Sequence, residues 1–280
     1  MHAHPDDESS KGAGTMARYS SEGARVALIC ATGGEEGEIL NPRMDQPGIL
    51  ERMPEVREAE LKTACDLLGV HEVYMLGYRD SGMPGTESNK HPDAFCNVDP
   101  EEGIRRLVEI IRKERPHVVL GYDESRGYEH PDHVKVHEWG NAAFSAAGDP
   151  DRYPDAGEPW QPAKLYHFAS FTKKRFQVLN DAATQRGIDS PYAGWLEKWD
   201  EMGFVEPEIT TQIDVTEFIE TRSKALLAHA TQIDPDSFWF AVPDEIQREV
   251  YPWEDFTLVA VATGERVVPE SDLFEGVDAQ

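Results

Sequence analysis

Short apolar segments alternate with longer amphipathic segments through the first half of the chain. The apolar segments predict buried strands at residues 26–32, 73–77 and 118–122. The amphipathic segments predict helices at residues 54–69, 99–115 and 131–147, with proline or glycine near several of their ends. Strands that alternate with helices imply parallel pairing, so we predict an α/β fold with a doubly wound, mostly parallel sheet.

The second half of the chain has a weaker pattern. It predicts strands at 164–170, 209–215 and 256–262, and helices at 172–187 and 217–231. Four tryptophans within it predict a packed cap over the sheet: Trp195, Trp199, Trp239 and Trp253. We predict a single domain over residues 1–263, followed by a flexible acidic tail over 264–280.

Composition narrows the classes of partner. The chain has 280 residues with 53 acidic and 27 basic side chains, a formal charge of −26. This charge argues against nucleic acid and anionic membranes, both of which select Lys and Arg. The three cysteines have no metal-binding or redox spacing, and no secretory signal or membrane-length apolar segment is visible. We therefore expect reduced thiols, a cytoplasmic location and no membrane partner.

Two clusters of histidine and acidic residues stand where strands should give way to helices. The first covers residues 4–8 (HPDDE) and the second covers residues 128–133 (YEHPDH). His4, Asp7 and His133 offer two imidazoles and one carboxylate, which suit a catalytic zinc with one open position. The same donor set also suits Fe²⁺.

The remaining residues of the two clusters predict acid–base chemistry. Asp6 is free to take a proton from water. His130, held by Asp132, can donate a proton or a hydrogen bond, and Tyr128 can act as a second donor. These four residues are the predicted catalytic set.

The sequence contains other candidate metal ligands and substrate contacts. His137 shares a helix face with His133 and is a rival metal ligand. The string at residues 91–93 repeats His-Pro-Asp within a loop and is interpreted as coincidence. Residues 33–37 (GGEEG) are too acidic for a phosphate site but suit a polyol, which makes Glu35 a candidate substrate contact. No dinucleotide, Walker or esterase motif is present in the sequence.

The chain resembles the LmbE-like (PIG-L-type) zinc-dependent N-deacetylase family. The resemblance rests on the strings at residues 2–12, 32–42 and 128–133, and it extends to 155–160 and 229–235. It implies a Rossmann-like fold, one zinc ion and the metal and catalytic residues given above. It also implies sugar and inositol contacts by Arg57 and Asp80. Lys11 matches the branch that hydrolyses mycothiol S-conjugates and could contact the cysteinyl part of a substrate.

Two departures from the family pattern affect these expectations. Ser125, Arg126 and Glu129 replace the smaller or proline-type residues expected just before the His-Pro-Asp-His string at residues 130–133, which could alter the presentation of Tyr128. Family members also place a full strand before the first cluster, whereas only residues 1–3 precede His4 here. We therefore expect the first strand to be largely missing here and the true start to lie upstream. If the chain does start at Met1, the missing strand hydrogen bonds should weaken the zinc site.

The resemblance favours one function and leaves alternatives open. The leading hypothesis is zinc-dependent hydrolysis of the amide bond of mycothiol S-conjugates, giving glucosaminyl-inositol and an N-acetylcysteine S-conjugate. The expected partner is thus a small thiol–sugar conjugate. One alternative is N-deacetylation of N-acetylglucosaminyl-inositol or another amino sugar. A second is a non-catalytic sugar-binding protein that retains a metal site. Oligomeric state and the S-substituent stay open.

Overall fold

The computed structural model describes residues 1–123, 128–201, 203, 205–262 and 266–277. The strands are β1 (Ala27–Thr32), β2 (Glu72–Tyr78), β3 (Val118–Gly121), β4 (Lys164–Phe168), β5 (Thr211–Asp214) and β6 (Trp253–Val261). The helices are α1 (Asp7–Ser10), α2 (Ala13–Ser21), α3 (Met53–Leu68), α4 (Pro100–Glu114), α5 (Pro131–Ala147), α6 (Lys173–Gln185), α7 (Tyr192–Glu197), α8 (Ile219–Ala228) and α9 (Asp244–Val250). Each strand and helix predicted from the pattern is present; α5 has the predicted ends and the others have shifted ends.

Local sequence explains where the long helices begin and end. Helix α4 has Pro100 at its first position, and the Asp99 side chain accepts a hydrogen bond from the Glu101 N–H at 2.9 Å. Helix α3 ends at Gly69, which adopts a left-handed conformation with φ of 70°. These signals are local in the chain, so the sequence predicts them well.

The sheet is joined through the first three residues. Strands β1 and β2 pair in parallel, β3 and β4 pair in parallel, and β6 runs antiparallel between β4 and β5. The His2 N–H donates to the Ile29 carbonyl at 2.8 Å, and the Met1 ammonium donates to the Leu120 carbonyl at 3.0 Å. Residues 1–3 therefore lie between β1 and β3, where the family pattern leads one to expect a full strand. An apolar cavity of about 480 Å³ adjoins them.

Three apolar clusters hold the layers together. The largest packs α4 and α5 against the sheet, with Trp139 and Phe95 fully buried at its centre. The second fills the space between β1, α2 and α3. The third forms part of the predicted cap: Trp199 and Trp195 pack with Phe176, whereas Trp253 is 36% exposed on β6 and lies outside this cluster. The cap therefore rests on α6, α7 and α9, of which the two short helices were not predicted.

Residues that follow β6 pack onto the domain. The Lys164 ammonium donates to the Glu270 carboxylate at 2.6 Å, and both side chains are buried. Leu273 lies in the largest apolar cluster. The sequence predicts a flexible tail over 264–280, whereas residues 270–273 are held by a buried ion pair and apolar contacts. Residues 263–265 and 278–280 lie outside the described part of the chain.

The helices offer no candidate for a membrane span. Across the described residues, none is both long enough and apolar enough to cross a bilayer.

Candidate metal centre and active site

Both predicted clusters meet at one edge of the sheet. Residue 4 follows the segment between β1 and β3, and residues 128–133 lead from the end of β3 into α5. Carboxyl ends of parallel strands lie at the same edge, which is where ligands bind in open α/β sheets. The long loops after β1 and β2 reach the same edge, because the Asp80 N–H donates to the Glu35 carboxylate at 3.0 Å.

His4, Asp7 and His133 form a compact buried group. Asp7 Oδ2 lies 3.4 Å from His4 Nδ1 and 3.4 Å from His133 Nε2. One ligand atom from each of the three residues lies within 4.8 Å of the others. Two imidazoles and one carboxylate at this spacing fit a catalytic zinc and leave room for a water or substrate oxygen. The structure thus brings together the three residues predicted as metal ligands.

Lys11 and Tyr122 surround the carboxylate of Asp7. The Lys11 ammonium lies 2.7 Å from Asp7 Oδ1 and 5.3 Å from the centre of the Tyr122 ring. Burial alone would raise the pKa of Asp7, but the charges of Lys11 and His133 hold that pKa well below its ordinary value. Asp7 is therefore ionised, as a metal ligand must be.

Asp6 stands beside this group in a strained backbone conformation. Its φ is 110°, in the left-handed region that residues other than glycine rarely adopt. The Arg57 guanidinium donates to Asp6 Oδ2 at 2.9 Å and to the carbonyls of Pro5 and Gly34. Burial raises the pKa of Asp6, with Arg57 opposing and Asp7 adding to the shift. A carboxylate with a raised pKa is suited to accept a proton.

A buried ion pair lies behind the Asp6 backbone. His229 Nε2 lies 2.6 Å from Glu8 Oε1, and both residues are fully buried. The other oxygen of Glu8 accepts a hydrogen bond from the Asp6 N–H at 3.0 Å. Burial alone would lower the pKa of His229, but the charge of Glu8 raises it. The pair therefore holds a charged hydrogen-bond acceptor against the strained residue.

His130, Asp132 and Asp80 form the other side of the centre. Asp132 Oδ2 lies 3.2 Å from His4 Nε2, and Asp80 Oδ1 lies 3.6 Å from the same atom. Burial alone would lower the pKa of His4, but hydrogen bonds to Asp132, Asp7 and Asp80 raise it well above its ordinary value. When a metal binds His4 Nδ1, the Nε2–H can instead orient the ring through Asp132.

The role of His130 follows from its place at the start of α5. Its Nδ1 accepts a hydrogen bond from the Asp132 backbone N–H at 3.2 Å, so the neutral ring carries its proton on Nε2. Burial, together with the charge of His4, lowers the pKa of His130 to about 4. The sequence predicted that Asp132 holds His130; the backbone N–H of Asp132 does so, whereas its carboxylate turns to His4.

A cavity of about 440 Å³ opens beside the metal ligands. Asp6, Lys11 and Tyr128 line one side of it together with Asp7 and His133. The apolar wall of the cavity includes Leu40, Phe168, Phe171, Val205, Pro207, Ile233, Phe238 and Trp239. The centre therefore combines a polar, chemically reactive floor with an aromatic wall.

The predicted substrate contacts occupy different positions. Lys11 lines the cavity, but Arg57 and Asp80 are each 3% exposed and do not. Arg57 donates hydrogen bonds to Asp6 and to two backbone carbonyls, so it holds in place the turn that carries Asp6. Glu35 binds the backbone of Asp80 and thereby joins two loops. Substrate contact by these residues stays a prediction.

The other candidates from the sequence lie outside the centre. His137 Nδ1 lies 2.8 Å from the Tyr122 carbonyl, and His137 is not among the candidate metal ligands found in the described part of the chain. His91 and Asp93 are exposed in a loop. Glu129 is exposed beside Tyr128, while Ser125 and Arg126 lie outside the described residues.

Comparison with known proteins decides the family. Residues 1–144 match the family described as PIG-L, GlcNAc-PI de-N-acetylase. The chain belongs to the PIG-L family. It is 45% identical to the mycothiol S-conjugate amidase of Streptomyces coelicolor, an alignment covering 99% of this chain and 96% of that protein. It is 41% identical to the 1D-myo-inositol 2-acetamido-2-deoxy-alpha-D-glucopyranoside deacetylase of Thermobispora bispora, over 99% and 97% of the two chains.

A solved structure supports the fold of this PIG-L chain. The N,N'-diacetylchitobiose deacetylase of Pyrococcus horikoshii superposes with a TM-score of 0.62 at 20% identity, covering 92% of this chain and 81% of that one. This likeness confirms the predicted α/β fold. The family and its relatives identify the chain as a hydrolase acting on amide bonds.

Several important residues of this PIG-L site were not assigned roles from the sequence. Glu8 and His229 belong to strings that carry the resemblance, yet they are 221 residues apart and nothing local pairs them. Tyr122 and the aromatic wall resemble ordinary core residues in the sequence. A buried pair of opposite charge becomes visible only when the fold brings its members together.

Proposed function

We propose that this chain hydrolyses the amide bond of mycothiol S-conjugates, releasing glucosaminyl-inositol and an N-acetylcysteine S-conjugate. The observation that carries the proposal is the apolar wall that the 440 Å³ cavity has beside the metal-ligand group. An acetyl group needs little space and a polyol needs hydrogen-bond partners. An aromatic wall instead suits an acyl group that carries an apolar S-substituent.

His4, Asp7 and His133 would hold the zinc ion. Bound there, it would polarise the amide carbonyl and lower the pKa of a water molecule. Their donor set accepts Fe²⁺ as well.

The other polar residues of the centre would act on the water and the substrate. Asp6, oriented by Arg57, accepts the proton of the attacking water. The His130 ring lies 4.6 Å from the His4 ring, centre to centre, and its Nε2–H can donate a hydrogen bond to the departing sugar nitrogen. Asp6 passes to that nitrogen the proton it has taken from water. Tyr128 lines the cavity and donates a hydrogen bond to the developing oxyanion. Lys11 lines the same cavity beside Asp7 and faces the cysteinyl part of the substrate.

Deacetylation of N-acetylglucosaminyl-inositol is the second candidate. It is favoured by relatives at 38–41% identity that carry this activity in their names. The same floor residues could perform it, because both reactions break an amide bond to a glucosamine nitrogen. The two candidate activities differ in the acyl group that the aromatic wall would contact.

A side-by-side assay separates the two activities. Zinc-loaded and chelated protein is offered a mycothiol S-conjugate with an apolar substituent and, separately, N-acetylglucosaminyl-inositol. We expect kcat/KM to favour the conjugate at least about tenfold, which corresponds to about 1.4 kcal/mol. Preference for the acetylated sugar would refute the proposal and support the second candidate.

Variants test the assigned roles in the same assay. Asp6→Ala should retain zinc but lose most turnover, whereas His133→Ala should lose zinc. Asp93→Ala is a matched control, because Asp93 follows the same His-Pro dipeptide but is exposed. Full activity of zinc-loaded Asp6→Ala would contradict the assignment of the base.

A further inference from the structure

A second, smaller cavity adjoins the aromatic wall of the active-site cavity. Its volume is about 20 Å³, which gives room for one small group. Five residues line both cavities, so the two spaces are immediate neighbours: Ser10, Ser170, Phe171, Phe238 and Trp239. The small cavity therefore lies where the far end of a bound substrate could reach it.

Ser10 connects the small cavity to the metal-ligand candidates. It is the last residue of α1, and its hydroxyl donates to the Asp7 carbonyl at 3.0 Å. The Lys11 ammonium lies 3.2 Å from the same hydroxyl oxygen. Because a helix rises 1.5 Å per residue, Ser10 and Asp7 are separated by about 5 Å along the axis of α1. A substituent of a few atoms is long enough to cover that separation.

Two arginines supply the charge on the lining of the small cavity. Arg175 comes from α6 and Arg222 from α8, and no acidic side chain lines the cavity within the described part of the chain. The other polar groups on the lining belong to two serines, Tyr192 and Gln247. The whole chain has 53 acidic and 27 basic side chains. A cavity with two arginines and no acid in such a chain indicates a site for an anion.

The partners of the two guanidinium groups are neutral. Arg222 Nη1 donates to Gln247 Oε1 at 3.2 Å, and the Arg175 guanidinium lies 5.7 Å from the centre of the Tyr251 ring. Over the residues that the structure describes, neither arginine forms an ion pair with a carboxylate. A guanidinium carries five N–H donors, so several of these donors remain available to a ligand.

The carboxylates closest to Arg222 already have other partners. Burial, together with the charge of Arg175, lowers the pKa of Arg222 to about 10, whereas Glu254 and Asp244 raise it. Arg222 is therefore a cation at neutral pH. Glu254 accepts hydrogen bonds from two backbone N–H groups of α2, and Asp244 accepts one from a serine hydroxyl. An anion held between the two arginines would offset their mutual repulsion.

We propose that Arg175 and Arg222 bind a carboxylate at the end of the substrate's S-substituent. This inference rests on the proposed function and adds the chemistry of the far end of the substituent. The aromatic wall would contact the apolar part of the substituent, and the guanidinium groups would take its carboxylate. A planar guanidinium donates two parallel hydrogen bonds to a carboxylate, whose two oxygens match the small volume better than a tetrahedral phosphate does.

Calorimetry on zinc-free full-length chain tests the site without turnover and without a metal that could attract the anion. The probes are 4-methylpentanoate and 4-methylpentanamide, which share a shape and differ in charge. We expect the carboxylate to bind at least about tenfold more tightly than the amide, as hydrogen bonds between charged groups imply. Arg175→Gln and Arg222→Gln should each remove most of that difference. Arg186→Gln is the matched control, because Arg186 is exposed at the end of α6 and pairs with Glu249.

A kinetic comparison asks whether the carboxylate belongs to the substrate. Two mycothiol S-conjugates are used whose substituents have the same chain and end in a carboxylate or a carboxamide. We expect kcat/KM to favour the carboxylate conjugate at least about tenfold. Arg222→Gln should bring this ratio close to one, and Arg222→Lys should keep part of it, because lysine retains the charge without the planar fork. The ratio is taken within each variant, so a general loss of activity cancels, and Arg186→Gln should keep the full ratio.

The outcomes separate the site from its assignment to the substrate. Equal affinity for the two probes would overturn the site, and so would a preference that survives in folded Arg175→Gln and Arg222→Gln, with folding checked by thermal unfolding. Tight binding of the free carboxylate without a preference between the conjugates would overturn the assignment to the S-substituent. Hydrolysis of neither conjugate would refute the proposed function, and the zinc-free titration would still decide whether the two arginines hold a carboxylate.

Discussion

The buried pair of Glu8 and His229 allows a quantitative test of how the catalytic turn is held. Both side chains are fully buried and their charged atoms lie 2.6 Å apart. If His229 is replaced by Gln, the Glu8 carboxylate keeps neutral donors but loses its cation. Breaking a buried ion pair by removing one partner costs about 3–5 kcal/mol. We expect His229→Gln to lower the free energy of unfolding by an amount near the lower figure, since the amide can still donate.

A double-mutant cycle isolates the pair from other effects of the substitution. Urea unfolding of metal-free protein is measured for Glu8→Gln, His229→Gln and the double variant. We expect a coupling energy of about 2 kcal/mol, within the range found for contacting residues. His71→Gln serves as the control, because His71 is exposed. A coupling energy below about 0.5 kcal/mol, the level typical of independent sites, would refute the reasoning.

The pH dependence of the same measurement gives an independent check. The pKa of His229 is raised above 6.5 by Glu8, so its contribution is complete below pH 6.5 and is lost as pH rises through the folded-state pKa. Despite burial, the charge of His229 lowers the pKa of Glu8 below 4.5, so its contribution is lost as pH falls through that lowered value. The stability difference between the unsubstituted protein and His229→Gln should therefore be largest between pH 4.5 and 6.5.

Turnover measurements test whether the Glu8–His229 pair also holds Asp6 in position. Glu8 holds the N–H of Asp6, whose left-handed conformation stores strain of about 1–3 kcal/mol. Loosening the pair should let Asp6 relax away from its catalytic position. Displacement of a catalytic group by about 1 Å can cost roughly 100-fold in rate. We expect zinc-loaded His229→Gln to show a kcat at least about tenfold lower with KM little changed. A rise in KM at constant kcat would contradict this.

Three further substitutions test other parts of the structure. Arg57→Gln should lower kcat roughly 100-fold with zinc retained, because Asp6 loses its orienting partner; normal turnover would contradict this. Gly103→Ala should destabilise the protein by about 1–3 kcal/mol in urea unfolding, because the new Cβ would lie 1.9 Å from a Trp139 ring atom; greater stability would refute that contact. Glu270→Gln should lower the free energy of unfolding by about 3–5 kcal/mol, because it leaves the buried Lys164 ammonium without its carboxylate. An unchanged free energy of unfolding would instead support a flexible tail.

Sequence reasoning worked best where the signal is local. Helix α5 begins and ends at the predicted residues, because Pro131 and its capping residue are adjacent in the chain. The grouping of His4, Asp7 and His133 was predictable because both clusters stand where predicted strands give way to helices, and the carboxyl ends of parallel strands lie at one edge of a sheet. Helices α7 and α9 have six and seven residues, too few to show a clear amphipathic period.

Long-range polar pairing was the main obstacle to prediction. Glu270 lies in an acidic segment that reads as solvated, yet its partner Lys164 lies 106 residues away. Arg57 was expected to face substrate because arginine often binds hydroxyl groups, but the fold surrounds it with acceptors of its own. Residue type indicates what a side chain can bind. Only the fold determines whether that capacity is already used.

The carboxylates on the two sides of His4 illustrate the same point, because the fold gives them different charge partners. On one side, Asp6 and Asp7 are each neutralised by a basic side chain of the protein, Arg57 and Lys11. On the other side, the ion-pair partners of Asp80 and Asp132 among the described residues are histidines alone. Buried carboxylates without a permanent cation are unfavourable. On the Asp80 and Asp132 side the balancing charge therefore depends on His4, whose pKa these two carboxylates help to raise well above its ordinary value.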